Sequence, residues 1–403
     1  MVRAHSLLYA IYICLIVSII CGALLYLFTL FGQLNQHYNL HEQMYIHNES
    51  VVNFALGNNI EMVAMPNDDE SGIEGSYETK NYGLLTLLVA TSITQTDTMM
   101  SVGFAGCYSR SQTALYLASA YKFLSYSGTV NITGQKQLPS QFIEAAYINN
   151  TPNRLVQNGA TSLSGPALPP VNPAYKRIFE GMHGEKTKMS EVDKPKDSIY
   201  FNSFLNPAKE IIISSVLAGM TIKGNFIIRA SDSIQVKKSA MLEDVILMAP
   251  KITFEDGFQG TVQAFATTGI DVGKDVVLAY PSALCVLNEK PDGGKIRIGS
   301  ECRITGTVVM LGNEMEANNR NTISISKGGL ITGDIYCSGR LMLQSNVYGA
   351  VYTSRFYYDT GSTTYDNLIA NVEINLEKRP EFFIGLPLFA TENSSYGILK
   401  KVL

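Results

Sequence analysis

The feature that most constrains this chain is a short alternating strand that recurs at a fixed interval. Ser-Ile-Gln-Val, Lys-Ile-Thr-Phe, Gly-Ile-Asp-Val, Lys-Ile-Arg-Ile, Thr-Ile-Ser-Ile and Arg-Leu-Met-Leu place an apolar residue at Ile234, Ile252, Ile270, Ile296, Ile323 and Leu341, in steps of 18, 18, 26, 27 and 18. The two long steps hold Pro- and Asn-rich stretches, Pro281 to Gly294 and Gly312 to Asn321, so the underlying unit is 18 residues. A second strand follows each first one: Asp244-Val-Ile-Leu, Thr261-Val-Gln-Ala, Asp275-Val-Val-Leu, Thr307-Val-Val-Met, Asp334-Ile-Tyr-Cys and Ala350-Val-Tyr-Thr. Units of this kind bury one face only by stacking on their neighbours. The pattern predicts a single-stranded β-helix, a solenoid, over residues 206–360.

The other end of the chain is of a different kind. Leu7 to Phe31 contains no charged residue, and about 20 such residues in a helix cross a bilayer. No small-x-small cleavage site follows the run, which predicts a retained signal anchor. Arg3 precedes it and the next Lys or Arg is Lys80, with Glu42, Glu49, Glu61, Asp68, Asp69, Glu70, Glu74 and Glu78 between. Positive charge stays on the cytoplasmic side, so the amino terminus is expected in the cytoplasm and the rest in the periplasm of an inner membrane crossed once.

Between these regions the organisation is coarser. Phe31, Tyr38, Tyr45 and Val52 recur every seven residues, with Leu34, His41, Asn48 and Ala55 between them, which extends the helix through residues 1–56 to a stop at Gly57-Asn58-Asn59. Residues 57–150 read as a β-rich domain that includes the strand Gly128-Thr-Val-Asn-Ile-Thr-Gly134. Residues 151–205, with Pro166, Pro169, Pro170 and Pro173, read as a surface connection, and 361–403 as a C-terminal cap. The fold class expected is mainly β, with a long N-terminal transmembrane α-helix, a β-rich middle domain and the C-terminal solenoid.

Chemistry is sparsely signalled. A net charge of -4 with no long Lys or Arg cluster argues against nucleic acid as a partner. The histidines are His5, His37, His41, His47 and His183; His37 and His41 share a helix face, but with no acidic partner fixed between them no metal site is expected. Cys107, Cys285, Cys302 and Cys337 lie beyond the span, and Cys285 with Cys302 is the pair weighed for a disulfide against buried thiols. Asp244, Glu255, Asp256, Asp271, Asp275 and Asp334 are the carboxylates on which polysaccharide chemistry would rest, although Asp at strand starts and Gly turns is common for turn reasons alone. No catalytic residue, cofactor or metal is expected, and the chain is read as no enzyme.

Arg3-Ala-His-Ser-Leu-Leu-Tyr-Ala-Ile-Tyr-Ile resembles the N-terminus of minor pilins of type IV pili and of type II secretion pseudopilins. The resemblance implies prepilin-peptidase cleavage after Ala4, leaving His5 as the new terminus. The chain departs from the family in having Ala4 where most leaders end in Gly and Tyr9 where most mature pilins carry Glu; tip-type minor pilins share the second departure. The repeats are similar to bactofilins, short β-helices that polymerise end to end, and the combination resembles uncharacterised envelope proteins of Bacteroidota. The expected function is a membrane-anchored structural or assembly protein with envelope, pilus or secretion subunits or its own copies as partners; the alternative is an anchored β-helix that binds or processes polysaccharide.

Overall fold

A computed structural model describes residues 2–63, 65, 72–108, 112–118, 123–148, 152–172, 198–312, 320–380, 383–385 and 395–402. The chain is mainly β, preceded by one long apolar helix, and divides into two compact units. The first comprises Met1–Glu78 and Val89–Ser101, the second Thr79–Leu88 and Val102–Leu403.

In the first unit, helix α1 runs from Val2 to Gly57. It ends at the expected Gly57-Asn58-Asn59 stop. Asn59 takes a left-handed φ of 56°, and the bonds Ile60 N to Ala55 O (2.8 Å) and Asn59 N to Leu56 O (3.1 Å) satisfy carbonyls that the last turn leaves open. Strands β1 (Glu74–Tyr82), β2 (Leu85–Ile93) and β3 (Thr98–Tyr108) contribute their outer portions to this unit. Against those portions α1 buries Met44, Asn48, Val51 and Ala55, a stripe at helical spacing. The expected heptad is therefore displaced: Asn48 and Ala55 are on the buried face, but Tyr38 and Tyr45 are 67% and 55% exposed. A tyrosine satisfies an apolar count as well as a methionine does, and nothing local tells which of two adjacent stripes will meet a sheet.

The contact is close because Gly75 leaves room for it. A Cβ there would stand 2.7 Å from His47 Cε1 and 2.8 Å from Val51 Cγ2. Asn48 replaces apolar packing with pairing: its Nδ2 donates to the carbonyls of Ala90 (3.1 Å) and Met99 (3.4 Å), and its Oδ1 accepts from Ser101 Oγ. His47 Nδ1 lies 2.9 Å from Ser92 Oγ.

The second unit is built on parallel ladders. The strand residues 199–202 pair with 221–224, these with 241–243, and the ladder continues through 260–261, 277–278, 303–304, 330–332 and 346–348 to Ile374. A second ladder begins at 209–212 and passes through 226–229, 246–248, 263–266, 283–286, 307–310 and 335–337 to 351–353. A third begins at 216–217 and runs through 235–236, 253–254, 271–272, 297–298 and 324–325 to 342–343. The chain visits the ladders in the same order on each passage, so among the described residues each strand of these three ladders pairs with one from the passage before.

Ile234, Ile252, Ile270, Ile296, Ile323, Leu341 and Phe356 are paired one to the next in the third ladder, and each is fully buried. Each such side chain contributes about 1.5–3 kcal/mol of burial. One of the expected second strands, Asp275-Val-Val-Leu, stands in a different ladder from the other five. Val277 and Leu278 pair with Gln259 and Gly260 in the first ladder, and it is Ala283 and Leu284 that continue from Gln263 and Ala264. Asp-Val-Val-Leu has the same alternation as its neighbours, and alternation carries no information about which partner a strand meets. The strand Val277–Leu287 also runs through Pro281, so the extra residues of that passage lie partly within a strand, at a shift between Leu278 and Ser282. Residues 313–319 of the other expected insertion lie outside the described residues.

Ladder order and chain order part company after residue 353. Val351 to Thr353 pair with Leu115 to Leu117, and Val372 to Asn375 pair with Val130 to Thr133, which pair in turn with Leu155 to Asn158. The described strands between residues 113 and 163 thus extend the ladders of the C-terminal repeats. The expected middle domain is divided between the units, strands 154–158 and 161–163 lie in the expected connection, and Leu368–Asn375 of the expected cap lies in a ladder. Tyr396–Val402 pairs antiparallel with Val102–Cys107 of β3.

Two details show how tightly the passages stack. Gly306, Gly333 and Gly349 form a column in which an added Cβ would lie 1.8, 1.9 and 2.0 Å from the carbonyl oxygen of Ser282, Gly306 and Gly333, so only glycine fits. The inward column of the second ladder reads Ile228, Leu247, Ala264, Leu284, Val308, Ile335, Val351, Leu115 and then Lys136. Lys136 is only 1% exposed. Its ammonium donates to the carbonyls of Gly159 (2.9 Å), Asn158 (3.2 Å) and Gly134 (3.3 Å), one acceptor for each proton, and burial holds its pKa below the ordinary lysine value.

Candidate functional site

The first candidate is the apolar half of α1. From Leu7 to Phe31 every large apolar side chain is 41–78% exposed, with Leu7 at 67% and Phe31 at 69%. This is one helix long and apolar enough to cross a membrane. Ser18 Oγ donates to Cys14 O (2.8 Å) and Thr29 Oγ1 to Tyr26 O (2.7 Å), so these hydroxyls are satisfied within the helix. Ala4 and His5, the expected processing site, are in the first turns of α1; their side chains lie outside the described residues.

The carboxylates are the second candidate, and the structure separates them into three places. Glu255, Asp256 and Asp271 line one shallow depression with Lys238, of about 630 Å³. Asp271 is held between Lys251 (3.1 Å) and Arg297 (3.3 Å), which come from the passages on either side. Glu255 accepts the backbone N–H of Lys238 (2.8 Å) and the ammonium of Lys237 (3.3 Å), and these bonds hold its carboxyl below the usual range. Asp256 accepts the backbone N–H of Lys274 (2.8 Å). All three stabilise the stacking of one passage on the next.

Asp244 lies elsewhere, at a left-handed φ of 59°. Its Oδ2 is 2.6 Å from Lys400 Nζ, and Glu243 is 3.3 Å from the same ammonium and 2.9 Å from Lys223. Burial pushes the Asp244 carboxyl up, whereas the bond from Lys223 holds Glu243 down. Beside them the buried Tyr82 hydroxyl lies 2.9 Å from Asp244 O, 3.0 Å from Phe226 O and 3.3 Å from Gly224 O, and burial raises its pKa, with the Asp244 charge adding to the effect. Asp334 is the third place: its Oδ1 accepts from Ala350 N (3.1 Å) and Arg379 Nη1 (3.3 Å), and burial raises it too. Asp275 stands at a corner with φ 54°.

A glycosidic acid needs a carboxyl raised by its surroundings beside a second, ionised one in the same cleft. Here the raised carboxyls, Asp244 and Asp334, are each ion-paired, and neither lines the depression that holds Glu255, Asp256 and Asp271. No group of three or more His, Cys, Asp and Glu among the described residues is arranged to hold a metal. Cys285 and Cys302 are both buried and form no disulfide; burial raises both thiols, and Cys302 Sγ lies 3.0 Å from Gly273 O.

Sequence reasoning passed over Lys136, Tyr82 and Lys400. Lys136 had a signal, since Gln-Lys-Gln-Leu puts it in phase with Leu138, an inward position. Tyr82 and Lys400 had none, because their partners are far away in the chain. Neither the family models, the curated proteins nor the solved structures offer a match to this chain.

Proposed function

We propose that this protein is a membrane-anchored, extracytoplasmic structural or assembly subunit. Leu7–Phe31 crosses the bilayer once, Arg3 stays in the cytoplasm, and both compact units stand in the periplasm. The observation that carries the reading is the change of character along one uninterrupted helix: exposed apolar side chains through Phe31, then the buried stripe from Met44 to Ala55 on the strands of the first unit. A bilayer is the solvent that suits the first part and a folded domain the second.

We infer further that the second unit winds as a β-helix. The support for this is the ladder order, in which each strand meets the one from the passage before, together with the buried column from Ile234 to Phe356. Glu255, Asp256 and Asp271 serve that stacking and Asp244 and Asp334 are each ion-paired, which favours a scaffold over polysaccharide processing. Assembly in the manner of a minor pilin is the reading that the resemblance at residues 3–13 supports.

Intact mass and N-terminal sequencing of protein purified from its native membrane test the proposal. A terminus at His5 supports a processed filament or secretion subunit, and one at Met1 a permanent anchor. A terminus beyond Phe31 overturns the anchor.

A further inference from the structure

A polar groove of about 320 Å³ opens where three successive passages turn, lined by Lys327, Gln344, Ser345, Asn346, Tyr358 and Asn371 with Gly328, Gly329 and Ala370 beneath. That volume lies within the range of about 300–1,000 Å³ that small-ligand sites occupy. Tyr358 reaches it from a hairpin, Tyr357–Asp359 paired antiparallel with Thr364–Asp366, that departs from the parallel ladders. Among the described residues it is lined by no carboxylate. The Glu301 carboxylate lies against Gly328, and Glu373 is ion-paired with Lys378 at 2.9 Å.

The hydrogen bonds fix what the groove presents. Asn346 Oδ1 accepts Glu373 N (3.0 Å) and Asn371 Oδ1 accepts Thr129 N (3.1 Å), which turns both carboxamide NH2 groups away from those amides and leaves them as donors. Ser345 Oγ accepts Gly329 N (3.0 Å) and donates to Ser326 O, so it is spent on the fold. Among the described residues no partner is recorded for the Lys327 ammonium, the Tyr358 hydroxyl or the Gln344 carboxamide. The groove is therefore rich in donors, carries one cation and has one aromatic wall.

We propose that this groove binds an acidic oligosaccharide, a uronate-containing glycan. Ring, glycosidic and carboxylate oxygens bring the acceptors that the two asparagines and Lys327 require, and the apolar face of a pyranose suits the Tyr358 ring. An acidic peptide fits less well. Its backbone N–H groups would enter a site with few free acceptors and lose their water without replacement. The proposal stands apart from the anchor, since the groove lies wholly within the second unit.

The test is isothermal titration of the full chain in detergent with tetragalacturonate, with its methyl ester and with tetraglutamate. The expected result is a Kd for tetragalacturonate below about 1 mM, at least about tenfold weaker binding of the ester and of the peptide, and about a tenfold loss for the acid alone in Lys327→Gln. Lys327 is exposed, so this variant keeps its fold; an unchanged melting curve verifies that. Equal binding of acid and ester, preference for the peptide, no heat with any of the three, or a Lys327→Gln variant that titrates like the parent would overturn the proposal.

Discussion

The buried column of the third ladder and the buried stripe of α1 are both runs of side chains at a regular interval, yet six of the column's seven members are legible to the residue in the chain alone, whereas two of the four buried positions of the stripe, Met44 and Val51, lie one residue from those its heptad names. The column repeats. Seven positions, Ile234 to Phe356, answer to one another across successive passages, and an error at one would put every inward side chain of that strand on the outer face. The stripe occurs once. Between Met44 and Ala55 the helix offers Tyr45 and Val52 as readily as Met44 and Val51, and the choice is made by Gly75 and by the carbonyls of Ala90 and Met99, which belong to strands that the helix sequence does not announce. Repetition makes a register legible, whereas a single contact between distant segments does not.

That contrast can be broken at four places. The largest effect is expected at the column. Ile270→Asp places an unpaired charge among fully buried neighbours and should cost at least about 4 kcal/mol, seen as loss of protease resistance in the second unit. Retained resistance would mean that Ile270 does not point inward. Next is Asn48→Ala in the helix stripe, which strands two carbonyls and the Ser101 hydroxyl and should cost about 1–3 kcal/mol. Hydrogen exchange should rise in residues 89–101 and stay level in 234–343; a rise in both would show that the stripe is no separate contact.

Lys136→Met sharpens the comparison from within a ladder, since it makes the inward column apolar to its end. The folded state holds Lys136 below its ordinary pKa, so the unfolded chain binds that proton more tightly. Stability should rise with pH from the folded value up to the ordinary one, and fall back as the pH is lowered again. The variant should lose this rise. Parallel alkaline stability curves for variant and parent would show that the ammonium is not desolvated. The smallest effect, under about 0.5 kcal/mol, is expected for Tyr45→Ala, because Tyr45 is 55% exposed; a large loss in its melting temperature would restore the heptad stripe.

The same contrast explains what could be read of the sites. The apolar span is a local property, and its charge-free length sufficed to recognise a helix able to cross a membrane. Glu255, Asp256 and Asp271 were visible as carboxylates, but their role rests on Lys238, Lys274, Lys251 and Arg297 in neighbouring passages, which spacing alone does not bring together. Asp244 with Lys400, and Asp334 with Arg379, join residues far apart in sequence. The fate of residues 113–163 is the extreme case: the strands were recognisable, but pairing of Leu115 with Val351 has no local signature.

The most direct test of the anchored, extracytoplasmic account is cysteine labelling from outside. Ser362 lies on an exposed turn, the four native cysteines beyond the span are buried, and Cys14 and Cys21 lie within it. Ser362→Cys should react with a membrane-impermeant maleimide on intact spheroplasts as fully as after lysis. Labelling that appears only once the membrane is broken would place the second unit in the cytoplasm and contradict the account.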